Sequence, residues 1–199
     1  MSPGSRGALV WTVLGAALAA APVRAERPSA VMLSEPCAAC HGTRGASAGP
    51  AVPTIGGQPA LYITASLNAF RDGRRPSSVM GRIARGFARE DFVAIGQFYA
   101  AQPYVPARQK VDPALAERGR RVHELRCERC HGDGGRRFET DEAKAPGPIL
   151  AGQWLQYLQI VLREFAESER ALPAGMDQAF RGLERGDTEA LAHFYAARQ

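Results

Sequence analysis

One pentapeptide pattern, C-x-x-C-H, occurs twice, as C-A-A-C-H from Cys37 to His41 and C-E-R-C-H from Cys127 to His131, and it uses all four cysteines of the chain. Its surroundings repeat with it. G-G-Q at 56–58 is answered by A-G-Q at 151–153, and Pro53 and Pro148 each stand five residues before their Gln. Counted from that Gln, Ile63, Leu67 and Phe70 match Leu158, Leu162 and Phe165, a spacing that places each trio on one helical face. Met80 and Met176, followed by D-F-V-A-I-G-Q-F-Y-A-A-Q from Asp91 and D-T-E-A-L-A-H-F-Y-A-A-R from Asp187, share one offset of 96. Two copies at this period mean tandem domains, since a solenoid needs three or more units to bury its core.

The division falls in a proline-broken stretch, with an N-terminal domain at 26–102, a linker at 103–112 and a C-terminal domain at 113–199. Asp112 followed by Pro113 predicts a helix start: a side-chain cap, with proline at the position whose N–H has no helical partner. That helix runs toward Cys127. Residues Glu139 to Pro148 are extra in the second copy and read as an exposed loop. No stretch alternates in polarity as a strand does, so the expectation is an all-α chain with long loops.

Residues 1–25 read as a secretory signal peptide: Arg6, an apolar run from Ala8 to Ala21, and the small-residue pattern Val23-Arg24-Ala25. The run is shorter than the roughly 20 residues that cross a bilayer. The mature chain is therefore expected to be periplasmic, with no membrane span of its own. The full chain's formal charge of +5 includes two leader arginines, Arg6 and Arg24. Such a balance in an exported protein argues against nucleic acid as a partner. Arg74-Arg75, Arg120-Arg121 and Arg136-Arg137 read as solvated surface.

Two cysteines three apart can form thioethers to the two vinyl groups on one edge of a haem, and the adjacent histidine then reaches the iron. Two copies call for two covalent haem c groups, attached at Cys37 and Cys40 and at Cys127 and Cys130. The second axial ligand is assigned by position. Met32 lies on the segment leading into the first motif, which leaves Met80 and Met176, one per repeat, and gives the pairs His41/Met80 and His131/Met176. Competing readings fit less well. A zinc ribbon sets its knuckles about 15 to 20 residues apart, whereas 86 residues separate Cys40 from Cys127. A thioredoxin-like pair needs a βαβ context, and a disulfide requires no histidine.

The remaining features take ordinary readings. H-G-D-G-G lacks a preceding strand and a completed G-x-G-x-x-G, so its glycines serve a tight turn beside the porphyrin. His123 and His193 read as surface or packing residues; Trp154, Phe98, Tyr99, Phe194 and Tyr195 as pocket wall and domain interface. Pro53 and Pro148 are placed to offer carbonyls to the outer N–H of the ligating histidines.

With these motifs, each half resembles a class I cytochrome c domain and the pair resembles the tandem dihaem cytochromes. Through S-S-V-M-G-R-I-A-R-G-F (77–87), Y-V-P-A-R-Q (104–109) and L-A-G-Q-W-L-Q-Y-L-Q (150–159), the chain also resembles the cytochrome subunits of flavocytochrome c sulfide dehydrogenases. That resemblance implies a hetero-dimer in which a flavoprotein subunit oxidises sulfide on FAD. This chain would then pass the electrons to a soluble cytochrome c. The chain itself has no dinucleotide fingerprint and no cysteine beyond the two motifs, so the chemistry on sulfide would lie in the partner. The alternative is a free-standing dihaem carrier serving a terminal oxidase. A haem peroxidase would want an open iron position, against a methionine for each haem.

Overall fold

A computed structural model describes residues 27–137, 147–172 and 175–198. The expected leader at 1–25 lies outside them, as does most of the extra loop, at 138–146. The regular elements are helical throughout: α1 (Ala30–His41), α2 (Ala60–Arg71), α3 (Met80–Arg85), α4 (Arg89–Ala100), α5 (Pro113–Arg126), a single tight turn α6 (Gly132–Gly135), α7 (Leu155–Ala166), α8 (Met176–Arg181) and α9 (Asp187–Ala197). Among the described residues there is no strand, and no helix is long and apolar enough to cross a membrane.

Local chemistry sets the helix starts. Asp112 Oδ1 accepts from the N–H of Ala114 at 2.8 Å and of Leu115 at 3.0 Å, so α5 begins at the Asp-Pro pair. Asp91 reaches back to the N–H of Ala88 at 2.9 Å, and Asp187 does the same to Glu184 at 2.8 Å. Both close the turn before a core helix.

Each half then builds its own core. Ile63 and Leu67 from α2 meet Ala84, Phe92, Ile95 and Tyr99; Leu158 from α7 meets Leu191, Ala192, Phe194, Tyr195 and Ala196. The α5–α9 crossing is close enough to require glycine. A Cβ on Gly119 would stand 2.0 Å from the carbonyl oxygen of Ala190.

The two halves are joined by a reciprocal pair of glutamine clamps. Gln153 Oε1 accepts from the N–H of Thr54 at 2.9 Å, and its Nε2 donates to the carbonyl of Thr54 at 2.9 Å. Gln58 treats Ile149 identically, at 2.8 and 3.0 Å. Thr54 and Ile149 each stand four residues before their own Gln, so the arrangement has the self-complementary form of a two-fold interface, although the halves differ in sequence. Trp154 Nε1 adds a bond to the carbonyl of Ser47 at 3.1 Å.

The 103–112 stretch is packed in place. Tyr104 Oη donates to the carbonyl of Ala151 and the N–H of Ala107 to that of Gly152, both at 2.7 Å. Gln109 spans Gln153 and Leu155 at 2.8 Å each.

One surface expectation is corrected. Arg74 is exposed beside Asp72, but Arg75 is only 7 % exposed. Its Nη2 donates to Tyr157 Oη of the other half at 2.9 Å and its Nη1 to Ser66 Oγ at 3.3 Å, while its guanidinium lies 4.5 Å over the Phe70 ring. Interface formation takes it out of water. Arg120 and Arg121 do lie on the surface, paired with Glu117 and Glu124, and Arg136 and Arg137 are exposed.

Gln153 is 3 % exposed, so Gln153→Ala leaves both Thr54 backbone groups unpaired inside the interface. An orphaned buried polar group costs about 1–3 kcal/mol. The expected result in chemical denaturation is a loss of about 2 kcal/mol or more, with an early transition as the halves separate. A variant as stable as the parent would show that the clamp does not hold the halves together.

Candidate functional site

Helix α1 carries Cys37 and Cys40 and ends at His41, where Gly42, at φ 79°, turns the chain away. The His41 ring is buried and shares a hydrogen bond of 2.8 Å between Nδ1 and the carbonyl of Pro53. A carbonyl only accepts, so Nδ1 carries the proton and Nε2 keeps its lone pair. Burial holds the His41 pKa below its usual value, against the opposing pull of that carbonyl, so the ring is neutral at pH 7.

The second motif is positioned differently. Cys127 caps α5, its N–H bonded to the carbonyl of His123 at 2.7 Å, and the chain turns so that the N–H of His131 meets the carbonyl of Cys127 at 2.8 Å. His131 is buried, and its pKa is pushed down to about 4 by burial and then by the nearby charge of His123. None of the four cysteines is in a disulfide. Burial raises the thiols of Cys37 and Cys127 above their ordinary range, which keeps them protonated.

Both motifs lead into the same tight turn. The carbonyl of Gly45 accepts from the N–H of Ile55 and Gly56 at 2.8 and 3.1 Å, and that of Gly135 accepts from Leu150 and Ala151 at the same distances. Gly45 and Gly135 have φ of 78° and 87°, and a Cβ on either would meet a ring carbon of Tyr99 or Tyr195 within 2.9 Å. The glycines thus make room for tyrosines. Tyr99 Oη donates to the carbonyl of Ser34 at 3.1 Å, whereas Tyr195 Oη meets His123 Nδ1 at 2.9 Å, with Glu128 on the other ring nitrogen.

Met80 opens α3 and packs against the first core together with Cys37. Met176 opens α8 and is half-buried, with α8 held to α7 through the Phe165–Phe180 ring pair at 5.7 Å. Cys127 and Leu183 pack against the second core; Met176 is not in that cluster. Met32 is 65 % exposed.

Sequence reasoning did not find the partners of two groups. His123 and His193 are both buried, the first within the Tyr195–Glu128 network and the second through Nδ1 to the N–H of Asp112 at 2.9 Å. Tyr62, Arg75, Tyr157 and Arg170 meet at the interface. The repeat register held the signal for this second group. Both pairs are offset by 95, like Gln58 and Gln153.

Comparison with known proteins places the arrangement. The family model described as "Cytochrome c" matches residues 25–92. A thiosulfate dehydrogenase electron acceptor from Thiomonas intermedia is 30 % identical over 210 residues, covering 96 % of this chain and 87 % of that protein. The chain belongs to the cytochrome c family. A second thiosulfate dehydrogenase electron acceptor, from Stutzerimonas stutzeri, is 40 % identical over 67 residues, covering 32 % of this cytochrome and 31 % of that protein. The cytochrome subunit of sulfide dehydrogenase from Chlorobaculum tepidum is 41 % identical over 68 residues, or 34 % of this cytochrome and 61 % of that subunit. Among solved structures, reduced cytochrome c4 from Pseudomonas stutzeri superimposes with a TM-score of 0.69 at 23 % identity, covering 85 % of this cytochrome and 97 % of that chain. Thiosulfate dehydrogenase from Marichromatium purpuratum gives 0.67 at 28 % identity, covering 82 % of this cytochrome and 36 % of that chain.

The fold is accordingly all-α, two class I cytochrome c domains in tandem, and the chain is an electron carrier with covalent haem c. Its residues suit that group. Two thiols three apart, neither in a disulfide, and a buried neutral imidazole aimed through Nδ1 are what haem c attachment and axial ligation require.

Tyr195→Phe removes the hydroxyl that meets the buried His123 ring. The expected loss is about 1–3 kcal/mol, read in thermal or chemical denaturation. An unchanged midpoint would show that the hydroxyl has no role in holding His123.

Proposed function

We propose that this chain is the dihaem c electron-transfer subunit of a sulfur-compound dehydrogenase. It takes electrons from a flavoprotein subunit that oxidises sulfide on FAD and hands them to a soluble cytochrome c in the periplasm, after removal of residues 1–25. Cys37 and Cys40 attach the first haem and Cys127 and Cys130 the second; His41 with Met80 and His131 with Met176 are the axial pairs. Domains 26–102 and 113–199 carry one haem each, joined through 103–112.

The reciprocal Gln58–Gln153 clamp carries the reading. It holds the two Cys-x-x-Cys-His segments in one body, so transfer between them is intramolecular and needs no diffusive encounter. When bound, haem c supplies one-electron chemistry, and a methionine thioether raises its reduction potential. The protein's part is orientation and exclusion of water: the Pro53 carbonyl fixes the His41 tautomer, and the first core covers Met80 and Cys37.

The flavoprotein partner is supported by the likeness to a cytochrome subunit of sulfide dehydrogenase over one third of the chain. A second reading has an observation of its own. The relative that covers 96 % of this chain is a thiosulfate dehydrogenase electron acceptor, which favours thiosulfate as the compound oxidised by the partner.

The untagged protein, purified from its native periplasm, separates these readings. Two haems per chain, bound FAD, a co-purifying flavoprotein and haem reduction on adding sulfide are the expected results. Reduction by thiosulfate without flavin would select the second reading. Two haems with no partner would leave a free-standing carrier, and fewer than two would overturn the assignment. Met80→Leu and Met176→Leu should each abolish the sulfur-to-iron absorption of one haem only. Loss of neither would refute the axial pairs.

A further inference from the structure

The halves differ at two places at once beside their matching tyrosines. The Cys37-to-Cys127 offset sets His123 where the first half has Leu33, and Glu128 where it has Ala38. Tyr99 and Tyr195 each reach the first cysteine of their motif. Beyond that they part: Tyr99 Oη donates to the carbonyl of Ser34 at 3.1 Å, whereas Tyr195 Oη meets His123 Nδ1 at 2.9 Å.

The His123 ring is buried, yet it has a link to water. Its Nε2 is bonded to Glu128, whose side chain is 44 % exposed and whose Oε1 accepts from the N–H of Asp133 at 3.1 Å. Burial would raise the Glu128 carboxyl, but the bond to His123 and those from the N–H groups of Asp133 and Gly134 hold it below its usual value, so it is a carboxylate at pH 7. A carboxylate only accepts, so Nε2 carries a proton. Nδ1 then accepts from Tyr195 while the ring is neutral and donates to it when the ring is charged. Burial pushes the Tyr195 phenol well above its ordinary range, so it keeps its own proton in both states.

The titratable and charged groups around the ring come from three directions. Tyr195 faces it from α9, with Arg198 behind the Phe194 ring, 5.8 Å from that ring's centre. Cys127, Glu128 and His131 lie on the segment after α5, and Asp133, in the turn α6, stands 3.9 Å from Arg198. Charge on His123 is felt at His131, which it drives toward the neutral form. Coupling of this kind is reciprocal: a proton on His123 favours an electron at the second iron, and that electron favours the proton.

We propose that His123, linked to solvent by Glu128 and held by Tyr195, is a proton-accepting site for the second haem alone. The proposal rests on the two-haem reading above. The iron gains one electron, the ring gains one proton from solvent, and the net charge of the second half stays the same. The new bond is Nδ1–H; the Tyr195 O–H that had donated to Nδ1 turns to the Cys127 sulfur, and its oxygen accepts. The first half has Leu33 and Ala38 in these places and takes up no proton there. Because the proton enters with the electron, reduction of the second haem is easier in acid, and its potential falls as pH rises.

The test uses the full-length holoprotein, with haem counted per chain before potentials are measured. Fewer than two haems in the parent would refute the two-haem reading, independently of this site. Both potentials are then followed between about pH 5 and 8, where imidazoles change charge. One is expected to fall by up to about tenfold in its reduction equilibrium per pH unit, which is 59 mV for one electron, while the other lacks this step. His123→Phe, which keeps a ring against Phe194 and Tyr195, should abolish the step. Glu128→Gln keeps an acceptor for Nε2 without the charge, so the step should remain and move to lower pH. Should a variant fail to mature, the ring nitrogen resonances of His123 in the parent supply the test: at a pH inside the step, both nitrogens carry protons in the reduced protein and only one does in the oxidised. Potentials that are level with pH in the parent would overturn the proposal. So would a step that survives in His123→Phe, or one that stays in place in Glu128→Gln, since the proton would then sit on another group.

Discussion

Everything in this molecule that depends on two sites acting together depends on the amides of Gln58 and Gln153. Each side chain presents a donor and an acceptor to one residue of the opposite half, and each satisfies a backbone N–H and a backbone carbonyl that the interface would otherwise strand. A neutral amide does this without bringing charge into the seam. A carboxylate in its place could accept but not donate. The reciprocity also fixes register: a shift of one residue would break four bonds together, so the halves have one way to dock.

That docking extends outward through further polar contacts. Trp154 bonds Ser47, Tyr104 bonds Ala151, and Arg75 crosses to Tyr157. The proline-broken connection behaves as part of the interface, because Tyr104, Ala107 and Gln109 all direct their hydrogen bonds to the second half. Proline stops the helix, and these bonds hold the connecting segment in place.

Much of this was legible in the chain. The duplicated motif, the matched Ile63–Leu67–Phe70 and Leu158–Leu162–Phe165 faces and the Asp112-Pro113 start are local patterns, and local patterns report helices. The Pro53 carbonyl was legible because its place five residues before Gln58 repeats in Pro148 before Gln153. Arg75 was not, since a pair of arginines looks solvated until the partner surface is known. His123 was hidden for the same reason: Glu128 is local to it, but its other partner, Tyr195, arrives only when α9 packs on α5. Yet the register contained a usual sign of importance, for Tyr62 and Arg75 recur as Tyr157 and Arg170 at the offset of the clamp itself.

The differences between the copies lie beside the motifs themselves. The motif offset places Leu33 opposite His123. Leu33 packs against the first core, and Tyr99 accordingly turns its hydroxyl to the carbonyl of Ser34. In the second half the same tyrosine position meets a buried imidazole backed by the carboxylate of Glu128. One frame therefore surrounds its two Cys-x-x-Cys-His segments with different side chains: Leu33 beside the first, a buried imidazole paired with a carboxylate beside the second. In a low-dielectric interior such a difference separates the energies of two otherwise similar redox sites. A carrier with two equal sites would have no preferred order of filling. With His123 where the first half has Leu33, the two haems of the proposed carrier would have different surroundings, while the shared clamp holds both segments in one body.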